Sequence, residues 1–130
     1  MTRYLIGAFA LLLAACGSAA EESAVVVNVS CADVIDATIE LGSAGYNFDV
    51  TVLSADTGWD KYADAWVIRG PDGEVFGERV LAHPHENEQP FTRSLSDVAI
   101  PGEVDEVTIA ARDSVLGFCG SVLVLEVPRS

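Results

Sequence analysis

The chain's two histidines, His83 and His85, stand two positions apart in the run His-Pro-His-Glu-Asn-Glu. In extended backbone, residues i and i+2 project to the same side, so both imidazoles could face one ion. Pro84 supports that geometry because it disfavours helix at His83. Imidazole suits copper or zinc, and Glu86 or Glu88 could add an oxygen ligand. Two histidines fall short of a full ligand set. The competing reading is a surface loop whose imidazoles hydrogen-bond to backbone or carboxylates.

A second polar stretch, residues 56–64, holds Asp56, Asp60 and Asp64 at four-residue intervals. On a short helix they would share one face, and an oxygen-rich cluster suits calcium. The spacing lacks the alternating acids and central glycine of an EF-hand, so a solvated loop is the simpler expectation. Trp59, Asp60 and Tyr62 in this stretch, with Phe91 and Arg93 beyond the histidines, form a candidate binding surface. Trp59 could instead fold down over the core edge, and Trp66, on an alternating strand, reads as core. No Gly-x-Ser-x-Gly elbow is present, and nothing pairs a serine with either histidine. A carboxylate pair such as Glu86 with Asp60 would suit cleavage of envelope polymers, but the sequence gives no separation to test. No catalytic residue is assigned.

The N-terminus says where these groups are displayed. Arg3 precedes an apolar run from Leu5 to Leu13 that is too short for a stable bilayer span and reads as an export signal. Leu13, Ala14, Ala15 and Cys16 resemble the lipobox of a bacterial lipoprotein. The resemblance implies cleavage before Cys16, acylation of that cysteine, and a tethered domain with no transmembrane helix. Residues 1–15 are then a signal peptide, 16–23 a lipidated cysteine with a flexible stalk, and 24–130 the folded domain. Gly17, in place of an aspartate, resembles lipoproteins sent on to an outer membrane. With Cys16 taken by lipid, Cys31 and Cys119 are the only pair in an exported chain. An oxidising compartment makes a disulfide between them the default, and no Cys-x-x-Cys spacing suggests otherwise.

Seven basic residues face twenty acidic ones, a net charge of −13 that becomes −14 once Arg3 is removed. Such a surface repels nucleic acid and anionic headgroups, and serves solubility. One domain fits the length.

Apolar residues recur with period two. Ile35, Ala37, Ile39 and Leu41 form one set, Tyr46, Phe48, Val50 and Val52 a second, and Val107, Ile109 and Ala111 a third. The runs over 25–29 and 122–127 are more continuously apolar, as central strands can be. Gly42-Ser43-Ala44-Gly45, Gly70-Pro71-Asp72-Gly73 and Pro101-Gly102 are turn signals, the second within a hairpin joining strands over 65–69 and 74–81. Residues 83–93 read as a loop, and only residues 56–64 could hold a helix. The pattern predicts an all-β fold, an antiparallel β-sandwich of immunoglobulin or fibronectin type III kind with seven or eight strands. A small barrel is the competitor.

The block from Gly58-Trp59-Asp60 through His83-Pro84-His85 to Gln89-Pro90-Phe91-Thr92-Arg93-Ser94-Leu95 resembles a functionally uncharacterised family of short exported bacterial proteins. Asp113-Ser114-Val115 followed by Gly117 looks like that family's downstream signature. The resemblance implies that these segments belong together, and adds no reaction. That pattern places a histidine after the Asp-Ser-Val triplet and glycines beyond it, where this chain has Leu116 and Cys119. A third metal ligand held there by relatives would be missing here.

The sequence therefore points to an envelope-anchored lipoprotein acting as a non-catalytic binding or assembly module, with the membrane and an envelope protein as partners. A periplasmic transition-metal protein using His83 and His85, and an enzyme acting on envelope polymers, are the alternatives.

Overall fold

The computed structural model describes residues 30–130. The expected signal peptide, Cys16, the stalk and the strand over 25–29 lie outside the described residues.

Among the described residues seven strands follow one another: β1 (Asp33–Leu41), β2 (Tyr46–Leu53), β3 (Ala63–Arg69), β4 (Val75–Val80), β5 (Phe91–Val98), β6 (Glu106–Asp113) and β7 (Leu123–Glu126). They form a three-stranded sheet, β1-β2-β5, and a four-stranded sheet, β4-β3-β6-β7, with every pairing antiparallel. Between the sheets lies the core, in which Trp66, Phe48, Phe91, Ile68 and Ile109 are the largest fully buried side chains. The alternation of β2 carries through: Tyr46, Phe48, Val50 and Val52 are all buried. This is the one-sided burial that a period of two requires.

Four expectations need correction. No helix occurs among the described residues: within 56–64 a turn is closed by a bridge between Gly58 and Lys61, and Ala63 and Asp64 already belong to β3. Phe91 and Arg93 sit on strand β5 rather than in a loop, with Phe91 buried and Arg93 half-buried. In β1 the register shifts between Val34 and Asp36, so Val34 is buried while Ile35 is 46% exposed. A bulge reverses which side chains face inward. Finally, the apolar run over 122–127 is an edge strand, not a central one, and Val122 and Val124 face outward.

Antiparallel pairing decides what meets at each end of the sandwich. The starts of β1, β3, β5 and β7 and the ends of β2, β4 and β6 lie at one pole. That pole gathers three loops, residues 54–62, 81–90 and 114–122, together with Ser30, where the described chain begins. The sheets are tied there by the Cys31–Cys119 disulfide, with Cα atoms 5.4 Å apart. Beside it, the Val34 N–H donates to Ser121 O at 2.9 Å and the Ser121 N–H to Asp33 Oδ1 at 2.7 Å. Gly120 permits this approach, because a Cβ there would lie 1.9 Å from the Ala32 carbonyl oxygen.

The bridge closes a loop with a sequence separation of 88 residues. Replacing both cysteines by serine is expected to cost about 4.5 kcal/mol on chain-entropy grounds. Urea titration of the oxidised wild type beside the double variant measures it, and an unchanged midpoint would show that the bridge adds no stability.

Candidate functional site: the loop pole

Two buried carboxylates organise the pole. Asp56 opens the first loop and accepts from three donors: the Ser54 hydroxyl, the Ala63 N–H at 3.0 Å and the His85 N–H at 2.9 Å. It thus joins the first loop to the histidine loop. Gln89 adds a second clasp, accepting the Ser54 N–H on Oε1 at 2.9 Å and donating from Nε2 to the His85 carbonyl at 2.9 Å.

Asp113 ends β6 and is 1% exposed. Its Oδ2 takes the Lys61 ammonium at 2.5 Å, while Oδ1 accepts the Val115 and Leu116 N–H groups, each at 2.9 Å. Lys61 also donates to Ser30 O at 2.8 Å, so one ammonium spans the first loop, the third loop and the start of the described chain. Burial works against ionisation of Asp113. The hydrogen bonds from Lys61, Leu116 and Val115 outweigh it and hold the carboxyl below the usual carboxylate range.

Gly58, with φ of 137°, adopts backbone that other residues rarely take. The Thr57 N–H donates to Lys61 O at 3.0 Å and the Lys61 N–H to Gly58 O at 3.2 Å, closing the turn and lifting its tip out of the fold. Trp59 on that tip is 69% exposed, so it does not fold down over the core; Trp66 is the buried tryptophan. Tyr62 meets the Trp59 ring edge-on at 5.6 Å between centroids. The three aspartates of this stretch diverge: Asp56 is buried, Asp60 is exposed, and Asp64 pairs with Arg112 at 2.7 Å.

The histidines come together without forming a ligand set. Their ring centroids are 4.6 Å apart and tilted by 34°, with His83 exposed and His85 only 4% exposed. His85 stacks on Phe91 at 3.9 Å, and Arg93 Nη2 lies 2.8 Å from its Nε2. Guanidinium can only donate, so Nε2 is the acceptor and the neutral ring carries its hydrogen on Nδ1, which is buried without a partner. A metal on this imidazole would require Arg93 to leave Nε2. Among the described residues no group of three or more His, Cys, Asp or Glu is placed to hold a metal. Glu88 instead lies 4.0 Å from Arg93. Residues 83–88 border an open hollow of about 600 Å³, with His83, Glu86 and Glu88 at its exposed rim.

The pattern of the sequence could have revealed Asp113. It continues the inward-facing series Val107, Ile109, Ala111, so a core position there ends in a carboxylate that needs a partner. Lys61, the only lysine of the chain, is that partner.

Burial, Arg93 and His83 push the His85 pKa below its ordinary 6.5, against smaller opposing effects of Asp56 and Glu88. As pH falls, the unfolded chain therefore takes up this proton before the folded one does. The contribution of neutral His85 is complete above pH 6.5 and is lost as pH falls from there toward the folded pKa. The melting temperature of wild type should drop over that window, and His85→Gln, whose amide oxygen can accept from Arg93 without titrating, should flatten this part of the curve. An equal drop in both proteins would assign the effect elsewhere.

A protein of Halomicrobium mukohataei named "Putative lipoprotein" is 33% identical over 96 residues, covering 73% of this chain and 47% of that relative. The chain thus spans about half the length of the curated relative it matches. No family model and no solved structure matches it. In sequence, then, the chain that builds this pole is similar to a protein carrying a lipoprotein name.

Proposed function

We propose that the protein is a lipid-anchored, non-catalytic binding module of the cell envelope whose contact surface is the loop pole. The observation that carries this reading is the meeting, at one end of the sandwich, of the Trp59 turn, the histidine loop and the Asp113 loop. Loops held by a rigid scaffold are where recognition surfaces are usually built. Here the buried polar groups, Asp56, Asp113, Lys61 and Gln89, bond to loop backbone and to one another. They serve as a platform, and the exposed Trp59, Asp60, His83, Glu86 and Glu88 stand on its surface.

Cys16, its leader and the name of the relative support the anchor. The strand order also fits the immunoglobulin or fibronectin type III class. In that arrangement β3, β6 and β7 correspond to the C, F and G strands, and β4 joins β3 as the C′ strand does in variable-type domains.

Expressed in full in a host that processes lipoproteins, the chain should partition into the membrane fraction and into the detergent phase after cloud-point separation. Cys16→Ser should move it to the aqueous phase with the fold unchanged by circular dichroism. A wild-type chain that stays in the aqueous phase, or whose intact mass carries no acyl group on Cys16, would overturn the anchor.

A further inference from the structure

Trp59 is 69% exposed and Val115 62% exposed, each on a turn of the same pole. Their turns are joined at the base, where the Ser114 N–H donates to Tyr62 O at 2.8 Å and the Tyr62 N–H to Ser114 Oγ at 3.1 Å. An indole with one apolar face and one polar N–H suits the boundary between hydrocarbon and headgroups, where Trp and Tyr are enriched. The tip also stands at the end of the molecule where the described chain begins. Cys16 and Ser30 are fourteen residue steps apart, and a chain of that length reaches at most about 50 Å. Ser30 lies at the same pole and is clasped by Lys61. The opposite pole is one strand length farther away, about 30 Å for strands of this size, a distance the tether also covers, so it is the exposed tip and not the reach that selects this pole.

We propose that the Trp59–Val115 tip rests in the interface of the bilayer that holds the anchor, so that the domain lies pole-down on the membrane. This rests on the lipoprotein reading and names the partner of the same surface. Charge selects the kind of membrane. Asp60, Glu86 and Glu88 are exposed at this pole, and Lys61 is engaged by Asp113 and Ser30. The tip therefore takes a zwitterionic surface and is repelled by an anionic one, and salt relieves that repulsion.

Cys16 is the one cysteine outside the disulfide, which allows a test independent of cellular lipidation. The chain from Cys16 onward, which contains the whole sandwich, is coupled through that thiol to a maleimide lipid in phosphatidylcholine vesicles with brominated acyl chains. Trp59 emission should shift to the blue and lose about half its intensity, as expected of an indole at interfacial depth. Trp59→Ser should leave only the unquenched emission of buried Trp66, and Val115→Glu should restore most of the lost Trp59 intensity. Phosphatidylglycerol vesicles should give no quenching at low salt and recover it at about 1 M, where the screening length is near 3 Å. Tethered protein whose Trp59 stays unquenched in phosphatidylcholine, or equal quenching in Trp59→Ser, would overturn the docking while leaving the lipoprotein reading intact. Intact mass of the cell-made chain decides that reading separately, and an unacylated Cys16 would overturn both.

Discussion

Burying a carboxylate costs several kcal/mol unless donors replace the lost water, and the loop pole is built around two such groups. Asp56 and Asp113 each collect three donors, and each set joins segments distant in the chain. Neither charge can be satisfied until the segments around it are in place. Loop order and carboxylate burial therefore stand or fall together. The disulfide at the same pole holds the two sheets in the position this network needs.

That coupling shapes what the surface can do. Loops fixed by their own base lose little entropy when something docks on them, which favours recognition by a preformed surface. The same economy draws the reactive side chains inward. The Nε2 of His85 is taken by Arg93, its ring is stacked on Phe91, and Lys61 is held by Asp113. What remains outside is an aromatic tip with acidic neighbours. Its combination of apolar reach and negative charge sets which surface it can approach.

Much of the sandwich was legible because one-sided burial writes itself as period two, most plainly in β2 and β6. Strand β5 was hidden by its own chemistry. It opens beside Pro90 and carries Thr92, Arg93, Ser94 and Ser96, so its inward residues Phe91, Leu95 and Val98 are diluted by polar neighbours. Asp97, with φ of 61°, further breaks the alternation before Val98. The edge position of β7 could not be read from a run of valines and leucines, since apolar continuity alone does not distinguish a central strand from an exposed one. At the site, the sequence singled out segments that the structure brings to one pole. It could not show that His85 is buried or that Asp56 binds backbone, because both depend on how loops distant in the chain cross at the pole.

Two carboxylates make these loops as firm as the sheet. Native-state amide hydrogen exchange, resolved by residue, tests this most directly. The N–H groups of Val115, Leu116 and His85, all in loops, bond to those carboxylates. They should exchange with protection close to that of β3 and β6 amides, and Asp113→Ala should release Val115 and Leu116. Exchange of these three amides at the rate of ordinary exposed loops in the wild type would show that the carboxylates do not hold them.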